Sequence, residues 1–125
     1  MAGADLDALD RDLYDVVTIV SVANDVTMLK LVLASGAKAG QMTSLYDSTA
    51  LIAAAHLGHV EVVRTLIAVG APLDHVNNLN WTALIESIVL GVGGQNHIAC
   101  LMALVEAGAD ENIADGNGVQ PLQLA

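Results

Sequence analysis

The sequence predicts an all-α solenoid of stacked helix–turn–helix units, and three observations predict it. Residues 49–71 read as two short helices folded back on each other and closed by glycines. The same marks return at a fixed interval: Thr82-Ala83-Leu84-Ile85 follows Thr49-Ala50-Leu51-Ile52 by 33 residues, and Gly91 follows Gly58 by 33. The chain is 54% hydrophobic, yet it has no Phe and only Tyr14, Tyr46 and Trp81 as aromatic residues. Thin layers of Ala, Val, Leu and Ile between closely spaced helices fit that composition better than one bulky core.

Within residues 49–71, Thr49 offers an N-cap hydroxyl, and Leu51, Ala54 and Ala55 give the first helix an apolar side. Gly58 ends it where a left-handed residue carries no Cβ penalty. Val62, Val63, Leu66 and Ile67 fall at helical spacing in the second helix, which Gly70 stops. Helices this short are marginal alone, so neighbouring copies must bury their faces.

Taken in order, residues 1–13 are acidic, with Leu6, Leu9 and Leu13 at helical spacing, and are expected to form a helix or arm over the first unit. Asp15 stands where later units place Thr. The run Val16, Val17, Ile19, Val20 and Val22 favours a strand by itself. Register assigns it to a helix, because Met28, Leu29, Val32 and Leu33 then match Val62, Val63, Leu66 and Ile67. Residues 37–48 and 71–81 are connections. The third unit starts at Thr82, and residues 92–96 are expected to loop out between its helices, since two glycines inside a helix cost roughly 1 kcal/mol each. That insertion accounts for the 38-residue step from His59 to His97. A third connection, residues 109–119, closes on the tight-turn pair Asn117-Gly118. Gln120 then opens a fourth unit that has no second helix before Ala125. Leu101, Leu104 and Val105 are expected to pack partly on Leu122 and Leu124, leaving an apolar C-terminal end suited to self-association.

A period near 33 residues with T-x-L, Gly-His and Gly-Ala marks, the last at Gly36-Ala37, Gly70-Ala71 and Gly108-Ala109, resembles the ankyrin-repeat family. The resemblance spans residues 14–125, and residues 46–90 look most like the small ankyrin proteins of bacteria. It implies an ankyrin-repeat solenoid with β-turn fingers, in repeats at about residues 15–47, 48–80 and 81–118 and a truncated fourth at 119–125. It also implies a structural role for His59 and His97, each bonding nearby backbone from the family's Gly-His position. Asp110, Asn112 and Asp115 lie close to the family's finger pattern, whereas Asp74 replaces a usual Asn. The family's T-P-L-H is T-A-L-I twice here, with Ile52 and Ile85 at the His position, which removes a polar link between repeats.

Charge narrows the functions. Arg11, Lys30, Lys38 and Arg64 face fourteen acids, for a net charge of −10. A phosphate backbone or an anionic membrane would be repelled, so neither nucleic acid nor membrane is expected, and a basic protein partner fits. The same charge also keeps an apolar repeat protein in solution. The longest uncharged run, residues 87–105, is broken by glycines and polar residues and makes no membrane span. Asp5, Asp7, Asp10 and Asp12 occupy the place where a signal peptide needs positive charge. The cytoplasm is the default compartment, and a mature periplasmic form is also compatible.

Candidate chemistry is thin. His56, His59, His75 and His97 sit in different segments without convergent spacing, so no metal is expected. Residues 110–121 fail as a calcium loop, with Ala114 at the fifth position and Pro121 at the twelfth. Gly91-Val92-Gly93-Gly94 lacks the preceding strand of a dinucleotide site. The lone Cys100 cannot form an intrachain disulfide and reads as a buried structural thiol. It lies three residues from His97 and could share its helix face, but no oxyanion donors are identifiable. An enzyme or metal protein built on His56, His59, His97 and Cys100 is the least favoured reading. Asn80-Trp81-Thr82 matches a glycosylation sequon, a coincidence in a bacterial-looking chain. No cofactor is expected.

The resemblance implies protein–protein binding without catalysis, by finger tips and outward first-helix positions. Here those are Tyr46, Ser48, His56, Leu57, Leu79, Trp81, Val89 and Leu90. The alternative is a self-assembling structural module, or a fragment of a longer ankyrin protein, that uses its uncapped C-terminal end. Trp81, next to the Thr82 cap, carries the largest amphipathic ring of the set. Trp81→Ala is expected to cost about 2 kcal/mol of partner binding while shifting stability little. Calorimetric titration alongside thermal melting checks both, and a melting collapse would place the ring in the stack instead.

Overall fold

The computed structural model describes residues 15–42, 48–77, 82–83 and 94–109. Among these residues the chain forms five helices: α1 (Val16–Val22), α2 (Val26–Ala34), α3 (Ala50–Leu57), α4 (Val60–Ala68) and α5 (Gln95–Ala107). The N-terminal segment, Tyr46, Leu79, Trp81, Val89, Leu90 and the fourth repeat lie outside the described residues.

First helices start on matching caps despite different residues. The Thr18 amide donates to Asp15 Oδ1 at 2.8 Å, and the Ile52 amide donates to Thr49 Oγ1 at 3.3 Å. Each cap satisfies an amide that the helix itself cannot pair. At its other end α3 closes on Gly58 at φ 73°, as the sequence predicts. The equivalent residue after α1 is Asn24 at φ 57°, among the described residues the one non-glycine in the left-handed region. Asn tolerates that conformation better than most side chains.

Two layers result. α1 packs beside α3, while α2 packs beside α4 and α4 beside α5. Between the layers Leu29, Leu51, Leu66 and Leu104 are fully buried, with Val17, Val32, Val62 and Val63 filling the spaces. The β-branched run of α1 is helical because that packing buries Val17 and Val20 on one side, and tertiary burial outweighs a propensity difference of a few tenths of a kcal/mol per residue. The match between Met28 and Val62 is incomplete. Val62 and its counterpart Cys100 are fully buried, whereas Met28 is 41% exposed. No described helix is long and apolar enough to cross a membrane.

The inserted segment departs from expectation. Residues 92–96 do not all loop out: Gln95 and Asn96 belong to α5, and Gly94 is its N-cap. α5 accordingly has 13 residues where α4 has nine. Gln95 and Asn96 tolerate a helix, so the glycine cost applies only up to Gly94, and part of the insertion becomes an added N-terminal turn.

Successive connections are in contact. Ala37, Ala71 and Ala109 are buried just after their helices, and Gly40 lies against Pro72, where an added Cβ would stand 2.7 Å from the Pro72 Cδ. The proline ring has little freedom to yield. Gly40→Ala is therefore expected to destabilise the protein by about 1–3 kcal/mol, as overpacking does elsewhere. Thermal unfolding followed by circular dichroism checks this, and an unchanged melting temperature would mean that the two connections are not packed together.

Candidate interaction surface

The first-helix layer is positioned by two hydrogen bonds that cross between repeats. His59 Nε2–H donates to the Val22 carbonyl at 3.1 Å, and His97 Nε2–H donates to the His56 carbonyl at 2.9 Å. A carbonyl only accepts, so in both rings Nε2 carries the proton. Val22 and His56 are equivalent residues, each seven positions after its cap, Asp15 or Thr49. The two histidines thus repeat one contact, holding the end of each first helix to the helix pair that follows. His97 keeps this contact although its helix starts three residues earlier than the pattern of α4 implies. Its ring also lies on Gly58, where an added Cβ would come within 3.0 Å of it. Ile52, where the family has a His, is itself buried in the core.

Of the residues the sequence singles out, Ser48, His56 and Leu57 are described. Ser48 is half-buried, directly before the Thr49 cap, and its hydroxyl donates to the Thr49 carbonyl at 3.4 Å. His56 is exposed, and Leu57 is 42% exposed at the far end of α3. Ser48, two residues before α3, and Leu57, its last residue, therefore lie roughly 14 Å apart along the helix direction. They mark a strip and not a single point. Leu57 also borders an open groove of about 460 Å³ together with Asn24, Val26, His59, Val60 and Asn96.

Sequence reasoning missed Ile19 and Val22, which are 46% and 43% exposed on α1. The signal was present in the 34-residue offset between Asp15 and Thr49, which places Val22 at the position of His56. Met42 and Val76, also 34 residues apart, are exposed at equivalent places in the two connections. Neither α1 nor α3 contains an Asp, Glu, Lys or Arg. The second-helix layer carries Lys30, Glu106 and the exposed pair of Arg64 Nη1 with Glu61 Oε1 at 2.8 Å.

The histidine–cysteine alternative does not assemble. Cys100 is fully buried, and burial pushes its thiol up to about 11, only partly offset by the Arg64 charge. Such a thiol stays protonated at neutral pH and is a poor nucleophile or ligand. His97 is committed to the His56 carbonyl, and among the described residues no group of three or more His, Cys, Asp or Glu could hold a metal ion.

A family model for ankyrin repeats matches residues 17–115 as three copies. The chain belongs to the ankyrin-repeat family. This ankyrin-repeat chain is 31% identical over 125 residues to the ankyrin repeat protein YahD of Escherichia coli K12, covering 99% of its own length and 62% of the relative's. Its structure is similar to that of an ankyrin repeat domain from Acinetobacter baumannii AYE, with a TM-score of 0.93 and 45% identity, across 99% of this chain and 63% of that one. The expected likeness to bacterial ankyrin proteins holds, and the chain spans less than two thirds of either relative. Ankyrin repeats are generally protein–protein interaction modules and typically not enzymes.

Proposed function

We propose that this ankyrin-repeat chain is a non-catalytic module that binds a protein partner on its finger and first-helix surface. Ile19, Val22, Ser48, His56 and Leu57 form the described part of that surface, and Tyr46, Leu79, Trp81, Val89 and Leu90 continue it along the sequence register. One observation carries the reading. The same first-helix position is exposed in successive repeats, at Val22 and His56, on backbone that His59 and His97 hold in place. A surface held before binding loses less conformational freedom on association. The second-helix layer carries Lys30, Glu61, Arg64 and Glu106 and also exposes Leu31, Ile98 and Met102, so a test must distinguish the two layers.

A pull-down from cells that express the chain natively tests this with three proteins: the wild type, His56→Ala/Leu57→Ala, and Met102→Ala in α5. Met102 is 56% exposed at the position that Lys30 and Arg64 occupy in the earlier repeats, so it reports on the opposite layer. The reading predicts that the bound species weakens at least about tenfold for the α3 variant and is retained by Met102→Ala. The reverse pattern would move the binding face to the second helices.

A further inference from the structure

We propose that residues 1–13 fold back as a helix along α2, where they cover Met28 and Leu31 and seal the N-terminal end of the stack. This seal is separate from the binding surface above.

Equivalent positions in successive repeats show which face lacks a cover. Met28, Val62 and Cys100 occupy one position of the second helix, at offsets of 34 and 38 residues. Val62 and Cys100 are fully buried, whereas Met28 is 41% exposed. Leu31, Thr65 and Ala103 occupy a second position at the same offsets. Thr65 and Ala103 are half-buried, whereas Leu31 is 58% exposed. A position that is open in the first repeat and closed in the next two faces a preceding unit. Among the described residues only the Asp15 cap precedes α1. At both positions the first repeat is apolar, although an end face left to water is expected to be polar.

The segment directly before α1 suits this face. On a helix Leu6, Leu9 and Leu13 fall within about 60° of arc, with Asp5 and Asp10 at the margins and Asp7 and Arg11 on the far side. A helix over residues 5–13 would run about 14 Å, matching the nine-residue α2. α2 holds no carboxylate, and its one charge is Lys30. The carboxylate of its Asp25 cap is taken by the Met28 amide at 3.1 Å. Tethering then decides between occupants. A segment joined through Tyr14 meets α2 at an effective concentration on the order of millimolar. A second copy has to approach against a net charge of −10 on each chain. Covering Met28 and Leu31 also removes an apolar end from contact with other proteins.

Oxidation of the full chain by hydrogen peroxide, read residue by residue with peptide mass spectrometry, tests the seal. A methionine sulfur is converted to the sulfoxide at a rate that follows its exposure. Met42 and Met102, 54% and 56% exposed, serve as internal references. The wild type, Leu6→Gln/Leu9→Gln and the far-side variant Asp7→Asn/Arg11→Gln are compared at two protein concentrations, with circular dichroism as the fold check. In the wild type Met28 is expected to oxidise at least about fivefold more slowly than either reference. Leu6→Gln/Leu9→Gln should bring Met28 to within about twofold of the references, and the far-side variant should keep it protected. If the leucine variant loses its helical signal, Leu9→Gln alone takes its place with the same release expected. Met28 oxidised as fast as Met42 and Met102 in the wild type would overturn the seal. Protection that survives the leucine substitutions would overturn residues 1–13 as the cover, and equal release by the far-side variant would overturn the leucine face. Protection seen only at the higher concentration would give the face to a second copy instead.

Discussion

The hydrogen bond from a histidine of one repeat to the last carbonyls of the preceding first helix is the constraint on which the rest of the stack depends. A helix C-terminus leaves its final carbonyls without partners inside the helix. In α1 and α3 one of these, at Val22 or His56, is taken by His59 or His97 from the next repeat. Short helices cannot fix their own ends, and here the following repeat fixes them. A net hydrogen bond of this kind contributes about 1 kcal/mol, small against the burial of Leu29, Leu51, Leu66 and Leu104. Burial holds the layers together without direction. The histidine bond sets where each pair stops along its neighbour.

The proposed function draws on that registration. Val22 and His56 accept these bonds through their backbone carbonyls, and both residues are exposed at equivalent places in successive repeats. Gly58 serves the arrangement twice, by taking the left-handed turn after α3 and by leaving room for the His97 ring. The described first helices α1 and α3 are uncharged, whereas α2, α4 and α5 carry Lys30, Glu61, Arg64 and Glu106 beside exposed Leu31, Ile98 and Met102.

Much of this was legible in the sequence because local chemistry and global register agree. Thr49, Gly58 and Gly70 punctuate the second repeat as caps and stops, and Asp15 does for α1 what Thr49 does for α3. The valine-rich α1 is read correctly only through register, since its own propensity points to a strand. Register misleads at residues 92–96, where it measures the offset between His59 and His97 but does not locate the helix start. That start is set by Gly94, after which Gln95 and Asn96 can continue the helix. The site residues read from sequence, aliphatic Leu57, Leu79, Val89 and Leu90 among them, lie around the Thr49 and Thr82 caps and the helices they start, so His56 is singled out while Val22, at the same position of the first repeat, is not. Burial of Cys100 was readable from its apolar neighbours, but its proximity to Arg64 arises from packing of α4 on α5 and has no trace in spacing.

The central claim is that each histidine couples its repeat to the one before it. Native-state amide hydrogen exchange on His59→Ala measures this most directly, since it reports local opening helix by helix. Loss of one bond of about 1 kcal/mol predicts exchange about fivefold faster in α1, concentrated towards Val22, with α4 and α5 little changed. Unchanged exchange in α1, or an equal acceleration across all the helices, would contradict the coupling.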